Sequence, residues 1–437
     1  MPLPGETEEI MVKSLLLFSL LAVGAMTTST QSQTLRSSGK VYSDFDSYED
    51  TLKAADELNK EIAEEGMILL KNDGTLPLHG NEMVSVFGVK SDSLIGGSAN
   101  TGAFDTDVKE TESVGDALRK SGFKVNPTLE SMYKDDSSTI GNEVTTFNGK
   151  VEGSLELYND AAFIVISREG GEGSDAKTVT SEVADAEDKA AHKDLATKTV
   201  KDASGADKVE TYKHSLMFTH SEKDLIKYVK TKFSKIVVVL NTSNPIEIHS
   251  LKKDNAINAI IDISRPGKNG IFALGEIVKG DINPSGRLQD NWDADHTADP
   301  VWQNFGDNSQ VEANTIMLDP LFREEKSSGS GGGGGFPSMV AGEETKNPED
   351  YPYNAKLDGA VSYDGTEHSQ NYYTIDYEEG IYTGFKYYET YYSNLVASKG
   401  IEEATNWYEN AVSYPYDMVY LTHLFQWTLK VFQKIKH

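Results

Sequence analysis

A glycine loop with two glutamates is the part of the sequence whose residue types most directly indicate chemistry. The segment IVISREGGEGSD, residues 164–175, passes from an apolar run straight into three glycines and their neighbouring acids. Glycine loops after strands commonly bind anions, which these acids would repel. A carboxyl such as Glu172 can instead protonate a glycosidic oxygen and then deprotonate water. Arg168 and Asp175 are candidates to contact substrate hydroxyls, and Arg168 is also placed to orient the acid.

Two other interpretations of this loop are open from spacing alone. Gly171-x-Gly173-x-x-Ala176 formally matches the dinucleotide-binding fingerprint. Its context does not fit, because Glu172 would face the pyrophosphate and no apolar helix is expected to begin at Ala176. The simpler alternative is that Glu172 is a solvated loop acid without a catalytic role.

The overall composition restricts the class of partner. The chain has 437 residues, with 69 Asp and Glu against 41 Lys and Arg, and a net charge of −28. This balance disfavours nucleic acid and anionic membranes, which need basic patches. A neutral partner such as a sugar stays open, although an acidic surface can also serve solubility alone. The sequence has no cysteine, no HExxH motif and no run of clustered histidines, so we expect neither a metal nor an organic cofactor.

Alternating strands and helices predict the fold class. Buried strands without polar alternation are expected at AAFIVIS (161–167), KIVVVLN (235–241) and AINAIIDIS (256–264). Helices are expected over 47–65, over 113–122, from Ser221 onward and between Pro266 and Gly280. This order predicts an α/β fold with a doubly wound, mostly parallel sheet and helices on both faces, that is, an α/β sandwich.

Two further segments differ in composition from this core. Residues 168–215 are polar and rich in lysine and acids, and we expect a mobile insertion over the strand ends. The segment 372–392 is rich in tyrosine. We expect it to belong to an irregular C-terminal part, whose aromatic side chains either form a packed β-edge or line a carbohydrate site.

The N-terminus has the pattern of an export signal. Lys13 precedes LLLFSLLAVGAM, residues 15–26, and a Thr/Ser/Gln-rich stretch follows. An apolar core of this length suits a signal peptide better than a membrane span. We therefore expect an exported protein that is secreted, periplasmic or membrane-anchored. The alternative is a buried helix of the folded domain.

Several segments, in the same order, resemble the C-terminal α/β sandwich of glycoside hydrolase family 3, β-glucosidase type. They are EEGMILLKNDGTLPL (64–78), VSVFG (84–88), GGS (96–98), SREGGEGSD (167–175), KIVVVLNTSNPIEI (235–248), RPGKNG (265–270), GDINPSGRL (280–288) and YEEGIYTGFKYYET (377–390). The resemblance implies that Glu172, in the G-E-G loop, is the acid/base of the family. It also implies a substrate that is a β-linked oligosaccharide or an aryl or alkyl β-glucoside, and no cofactor.

The resemblance also implies a second catalytic group. In this family it is an Asp nucleophile in an S-D-W motif of a TIM barrel, and the pair hydrolyses with retention. This sequence has no S-D-W motif, and far fewer residues precede the sandwich than the roughly 250 of a barrel. We therefore expect the permuted branch of the family, in which the sandwich comes first, with the barrel missing from this chain. The isolated chain is then expected to be inactive or incomplete.

The C-terminal end departs from the family pattern. Family members continue Y-P-x-G-Y-G-L-S-Y-T, where this chain has YPYDMVYLTHLF at 414–425. Adding one base near the codon for Tyr416 restores the family pattern, so we infer a reading-frame slip there. The alternative is a lineage-specific C-terminus.

These inferences predict both the domain organisation and the function. The expected segments are a leader or anchor (1–30), an N-terminal extension with a lead-in helix (31–65), the sandwich (66–290), long loops (291–370) with a glycine-rich linker (327–335), a Tyr-rich end of the sandwich (371–415) and a frame-shifted tail (416–437). The predicted activity is that of a retaining, β-glucosidase-like glycoside hydrolase. The rival functions are a β-xylosidase or other exo-glycosidase of the same family, and a non-catalytic carbohydrate-binding or scaffold module.

Overall fold

The structure, a computed structural model, describes residues 44–95, 112–136, 142–170, 176–303 and 380–416. The chain divides into two compact units, Met1–Leu52 and Lys53–His437. In the first unit, Ser47 caps the opening turn of the helix Tyr48–Gly66, because its Oγ accepts a hydrogen bond from the Asp50 N–H at 3.1 Å. The expected leader, the glycine-rich linker and residues 417–437 lie outside the described residues.

In the described parts of the chain, ten strands form one large sheet and two small pairs. They are β1 (Ile68–Asn72), β2 (Met83–Phe87), β3 (Lys124–Val125), β4 (Ala161–Ser167), β5 (Thr197–Lys201), β6 (Asp207–Thr211), β7 (Ile236–Asn241), β8 (Ala259–Asp262), β9 (Trp292–Asp293) and β10 (Val412–Tyr414). The large sheet has the order β1-β8-β7-β4-β2-β3. Its pairs are parallel, except that β1 runs antiparallel to β8.

The apolar runs lie at the centre of this sheet. β4 pairs with β7 from Ala162↔Ile236 to Ser167↔Asn241, and every residue of β7 is buried. Strands that are apolar on both sides are typical of a parallel sheet covered on both faces. The predicted strands at 161–167, 235–241 and 256–264 are confirmed, although β8 is shorter than its apolar run.

The two faces of the sheet belong to two separate hydrophobic clusters. Phe163 and Val165 lie in one, whereas Ile164 and Ile166 lie in the other, because successive side chains of a strand point to opposite faces. The helices Val114–Lys120 and Phe272–Lys279 cover the first face. The second face is covered by Pro127–Asp136, Gly149–Leu157, His220–Lys232 and His249–Lys253. Helices on both faces of a mostly parallel sheet confirm the α/β sandwich.

The structure corrects three details of the sequence-based prediction. The helix His220–Lys232 is capped by Thr219, whose side chain accepts from Glu222 N–H, and not by Ser221. The tyrosine-rich segment is not irregular where it is described, since it forms the helices Phe385–Lys399 and Ile401–Ala411. β10 follows this helical hairpin and pairs with β9.

The third correction concerns the polar insertion that follows β4. Its described residues contain the helix Ala186–Ala191 and the antiparallel hairpin of β5 and β6. Lys213 and His214, just after β6, are each only 2% exposed. The insertion is therefore folded onto the sandwich over these residues, and its polar composition reflects buried ion pairs as well as solvated positions.

The remaining short helices are Glu143–Thr146, Gly267–Gly270 and Pro300–Gln303, together with the 3₁₀ turn His296–Ala298. Among the helices of the described residues, none combines the length and apolar character needed to cross a membrane.

Candidate functional site

Three neighbouring strands of the sheet end at the same edge. β4, β7 and β8 run parallel and finish at Ser167, Asn241 and Asp262. In open α/β sheets, ligands bind outside the carboxyl ends of the strands. The glycine loop that begins after Ser167 therefore leaves the sheet at the edge where a site is expected.

Asn241 connects the loops at this edge. Its Oδ1 accepts hydrogen bonds from the Ile95 N–H at 2.7 Å and from Ser167 Oγ at 3.3 Å. Its Nδ2 donates to the carbonyls of Ser264 at 2.7 Å and Ile95 at 3.2 Å. Because one fully buried amide joins the end of β4 to the chain after β2 and after β8, these segments are held in a defined relative position.

The guanidinium of Arg168 makes its hydrogen bonds to other groups of the protein. Its Nη1 and Nη2 each donate to one carboxylate oxygen of Glu222, both at 2.6 Å. The remaining guanidinium hydrogens reach the carbonyls of Ser215, Ser167 and Met217. A guanidinium has five N–H donors, so all of them have partners here. The prediction that Arg168 binds a substrate hydroxyl remains untested, but its contacts favour a positioning role at the start of the loop.

Gly170 is held on two sides. Its carbonyl accepts hydrogen bonds from Ser243 Oγ at 3.3 Å and from Arg265 Nη2. A Cβ at this position would lie 1.8 Å from Asn244 Nδ2, so any larger residue would displace the Asn244 side chain. The loop therefore leaves the sheet from an anchored residue. Glu172 and Asp175 themselves lie outside the described residues, and their predicted roles remain predictions.

Asp262 adds a buried carboxyl to the same edge, which the sequence analysis did not identify. It is 6% exposed, and burial raises its pKa to about 7, although a hydrogen bond from the Ser264 N–H at 2.8 Å opposes this shift. Ser264 itself has a φ of 47°, a left-handed conformation that is uncommon outside glycine. The only sign of this buried carboxyl in the sequence was an acidic residue within the apolar run at 256–264.

Among the residues that the structure describes, two groups of side chains have the composition of metal ligands. One is formed by His192, His214 and Glu247, and the other by Asp185, Asp188 and His220. The sequence analysis found no clustered histidines because these residues are far apart along the chain. Folding of the insertion against the end of β7 brings the first group together.

Comparison with known proteins identifies the family. The sequence matches the Glycosyl hydrolase family 3 C-terminal domain over residues 67–385. Beta-glucosidase A of Butyrivibrio fibrisolvens is 29% identical over 261 residues, which cover 54% of this chain and 28% of that protein. The periplasmic beta-glucosidase of Salmonella typhimurium is 26% identical over 233 residues, covering 52% and 27% respectively. The chain thus spans just over a quarter of the length of these relatives.

A search of solved structures gives beta-glucosidase 3B from Thermotoga neapolitana, in complex with glycerol. It is 25% identical with a TM-score of 0.45, and the match covers 60% of this chain and 33% of that one. The family match extends over most of the chain and includes the sheet, the glycine loop and the edge at which the loop begins. This chain therefore belongs to glycoside hydrolase family 3 and contains its C-terminal domain.

Proposed function

We propose that this chain supplies the sandwich domain of a retaining, β-glucosidase-type glycoside hydrolase in which Glu172 is the general acid/base. The observation that carries the proposal is the anchored start of the loop, Gly170, at the carboxyl end of the central strand β4. Family membership and the β-glucosidases among its relatives support the substrate class. We infer a β-linked oligosaccharide or an aryl or alkyl β-glucoside.

The proposed mechanism assigns Glu172 to both steps. It protonates the leaving oxygen while a nucleophilic carboxylate, about 5–5.5 Å away, attacks the anomeric carbon. It then deprotonates the water that hydrolyses the glycosyl-enzyme, with net retention. We infer that the nucleophile is an Asp of a TIM barrel domain, since this sequence has no S-D-W motif. If the nucleophile belongs to another domain, the loop that carries Glu172 must extend toward that domain from an anchored start.

The other proposed residues have different roles. We propose that Asp175 contacts a substrate hydroxyl from the far end of the loop. Arg168 is proposed to position the loop, because its guanidinium binds Glu222 and three carbonyls on the sandwich side. No step of the mechanism uses a cofactor.

The test uses a protein in which this domain is joined to the TIM barrel that the proposal requires. We expect Glu172→Ala to slow substrates with poor leaving groups most, because these need protonation of the glycosidic oxygen. Added azide should rescue the second step and give a β-glycosyl azide, since a small anion needs no general base. Glu169→Ala is the matched control, because Glu169 is an exposed acid of the same loop. The proposal is wrong if the two variants show the same dependence on leaving group.

We further propose that the protein is exported and that its segments have the boundaries predicted from the sequence. The apolar residues 15–26 support export. The Salmonella relative, which is named a periplasmic beta-glucosidase, supports it as well. Cell fractionation with N-terminal sequencing of the mature chain tests the leader. Limited proteolysis tests the boundaries, and the first cuts are expected in the glycine-rich linker 327–335.

A further inference from the structure

Three side chains from distant parts of the sequence converge beside the end of β7. His192 is the C-cap of the helix Ala186–Ala191 and His214 follows β6, whereas Glu247 follows β7. Their ligating atoms all lie within 4.8 Å of one another. His192 Nε2 is 2.6 Å from Glu247 Oε2, and His214 Nε2 is 3.3 Å from Glu247 Oε1. The side chains are almost fully buried, with exposures of 7%, 0% and 6%.

The surroundings of His192 and Glu247 suit metal ligands. His192 Nδ1 is 2.6 Å from the Asp188 carbonyl, which can only accept, so Nδ1 carries a hydrogen and Nε2 is the ligating nitrogen of the neutral ring. Glu247 Oε1 accepts the backbone N–H of His296 at 2.7 Å. Metal-binding histidines almost always donate their second N–H in this way, and metal-binding carboxylates are themselves hydrogen-bonded.

His214 supplies the second, independent observation. Its Nε2 is buried and makes no hydrogen bond to any described residue, because the approach to Glu247 lacks hydrogen-bond geometry. A buried polar atom without a good hydrogen bond is unfavourable. The ring also packs against Trp302, with centroids 5.0 Å apart. The buried Nε2 of His214 therefore lies beside the Glu247 carboxylate without a well-formed hydrogen bond.

An ion pair alone does not account for this arrangement. It explains the contact between His192 and Glu247, whereas His214 Nε2 lies 3.3 Å from Glu247 Oε1 without forming a well-aligned hydrogen bond to it. We propose that His192, His214 and Glu247 bind a divalent transition-metal ion of the Zn²⁺ type. Two histidines and one glutamate form a known zinc ligand set, which leaves a fourth position for water.

The three side chains must rearrange locally to accept the ion. With Zn–N and Zn–O distances of about 2.0–2.2 Å, tetrahedral ligand atoms lie about 3.3–3.5 Å apart. His214 Nε2 lies 3.3 Å from Glu247 Oε1, and His192 Nε2 lies 2.6 Å from the other oxygen, Oε2. The two histidines thus approach different oxygens of the carboxylate, and the contact at 2.6 Å must open by about 0.7 Å for an ion to bind. The ion displaces the proton between His192 and Glu247. His214 must carry its proton on Nδ1 for Nε2 to bind the ion, so it gives up the hydrogen bond that Nδ1 accepts from the Leu216 N–H at 3.3 Å, and that N–H must turn away from the ring.

The second group of potential ligands provides the control. Asp185 and His220 are exposed there, and Lys223 pairs with both carboxylates of the group. Lys213 lies 3.3 Å from Asp188 as well. The lysine ammonium groups thus lie against the carboxylates and neutralise the negative charge that a bound cation would need. His220 should therefore not contribute to Zn²⁺ binding.

The experiment is a competition titration of the EDTA-treated chain with Zn²⁺ against a chromophoric chelator. We expect one Zn²⁺ per chain with a micromolar or tighter Kd. His214→Gln should weaken binding at least about a hundredfold, whereas His220→Gln and the exposed His79→Gln should leave it unchanged. Circular dichroism checks that each variant is folded.

A measurement on the unmodified chain guards against a variant that fails to fold. Co²⁺ bound to the wild-type chain should give the intense visible absorption of a four-coordinate site, and one equivalent of Zn²⁺ should remove it. Weak, multi-site binding by the wild-type chain would overturn the proposal. Full Zn²⁺ binding in folded His214→Gln, or loss of binding in His220→Gln, would also overturn it.

Discussion

Arg168 and Glu222 form a two-bonded ion pair, with both N···O distances at 2.6 Å, between the start of the glycine loop and the first turn of the helix His220–Lys232. The side chains are 10% and 18% exposed. Removing one member of a buried pair leaves the other charge without compensation, and this costs about 3–5 kcal/mol. The pair therefore ties the proposed catalytic loop to the helical layer.

We predict that Glu222→Gln lowers the free energy of unfolding by about 3 kcal/mol, because it leaves the Arg168 guanidinium buried and unpaired. The double variant Arg168→Met/Glu222→Leu should lose less than the sum of the two single variants. Urea unfolding of the full double-mutant cycle measures this coupling. Lys399→Ala is the control for an exposed pair, since Lys399 and Glu403 are more than half exposed, and it should cost less than about 1 kcal/mol.

The second prediction concerns pH and Asp262. Its folded-state pKa of about 7 lies above the ordinary value of 3.8, so the folded state binds this proton more tightly than the unfolded state does. Stability from this group is fully present below about pH 4 and is lost as the pH rises to about 7. Each pKa unit corresponds to about 1.4 kcal/mol, so the loss reaches up to about 4 kcal/mol.

Asp262→Asn removes this loss and can still accept the Ser264 N–H. The variant should match the wild-type chain near pH 4 and become progressively more stable than it up to about pH 7. Urea unfolding at a series of pH values measures the difference between the two proteins, in which other titrating groups cancel. A difference that stays constant with pH would show that Asp262 titrates normally.

The third prediction compares two helical glycines. A Cβ at Gly275 would lie 2.2 Å from the Ala117 carbonyl oxygen, where two helices pack closely, whereas a Cβ at Gly153 meets nothing within 4 Å. Gly275→Ala should destabilise by about 1–3 kcal/mol through overpacking. Gly153→Ala should stabilise by about 0.5–1 kcal/mol, because alanine is the better helix former. Thermal unfolding of both variants tests the contrast, and equal shifts of the two Tm values would contradict it.

The parts of the fold that could be predicted are those encoded locally. The run at 161–167 is apolar without alternation, and this pattern alone identified β4 and its burial. The cap at Thr219 was missed because Ser221 also precedes an apolar stripe, and only the hydrogen bond to the Glu222 N–H distinguishes them. The tyrosine-rich helix was missed because helical spacing of Tyr388, Leu395 and their neighbours is obscured by tyrosines at exposed positions.

The candidate site was only partly predictable for a different reason. Motif resemblance pointed to Glu172, but no local pattern reports which groups meet across the fold. Arg168 and Glu222 are 54 residues apart, and His192 and Glu247 are 55 residues apart. Such pairs form because the polar insertion folds onto the sandwich. Its composition had predicted a mobile insertion instead. The sequence pattern indicated that the charged residues of this insertion are solvated loop positions. In the structure they are partners in buried contacts.

The last prediction concerns the isolated chain of 437 residues. We expect the purified, folded chain to hydrolyse aryl β-glucosides no faster than its Glu172→Ala variant, because the proposed nucleophile belongs to another domain. General acid catalysis alone is worth about 10²–10⁴-fold, far below the 10⁶-fold or more of typical enzymes. Initial rates with a chromogenic β-glucoside, with Glu169→Ala as control, measure this. Turnover that disappears only in Glu172→Ala would show that the chain holds its own nucleophile, and the barrel would then be unnecessary for the first step.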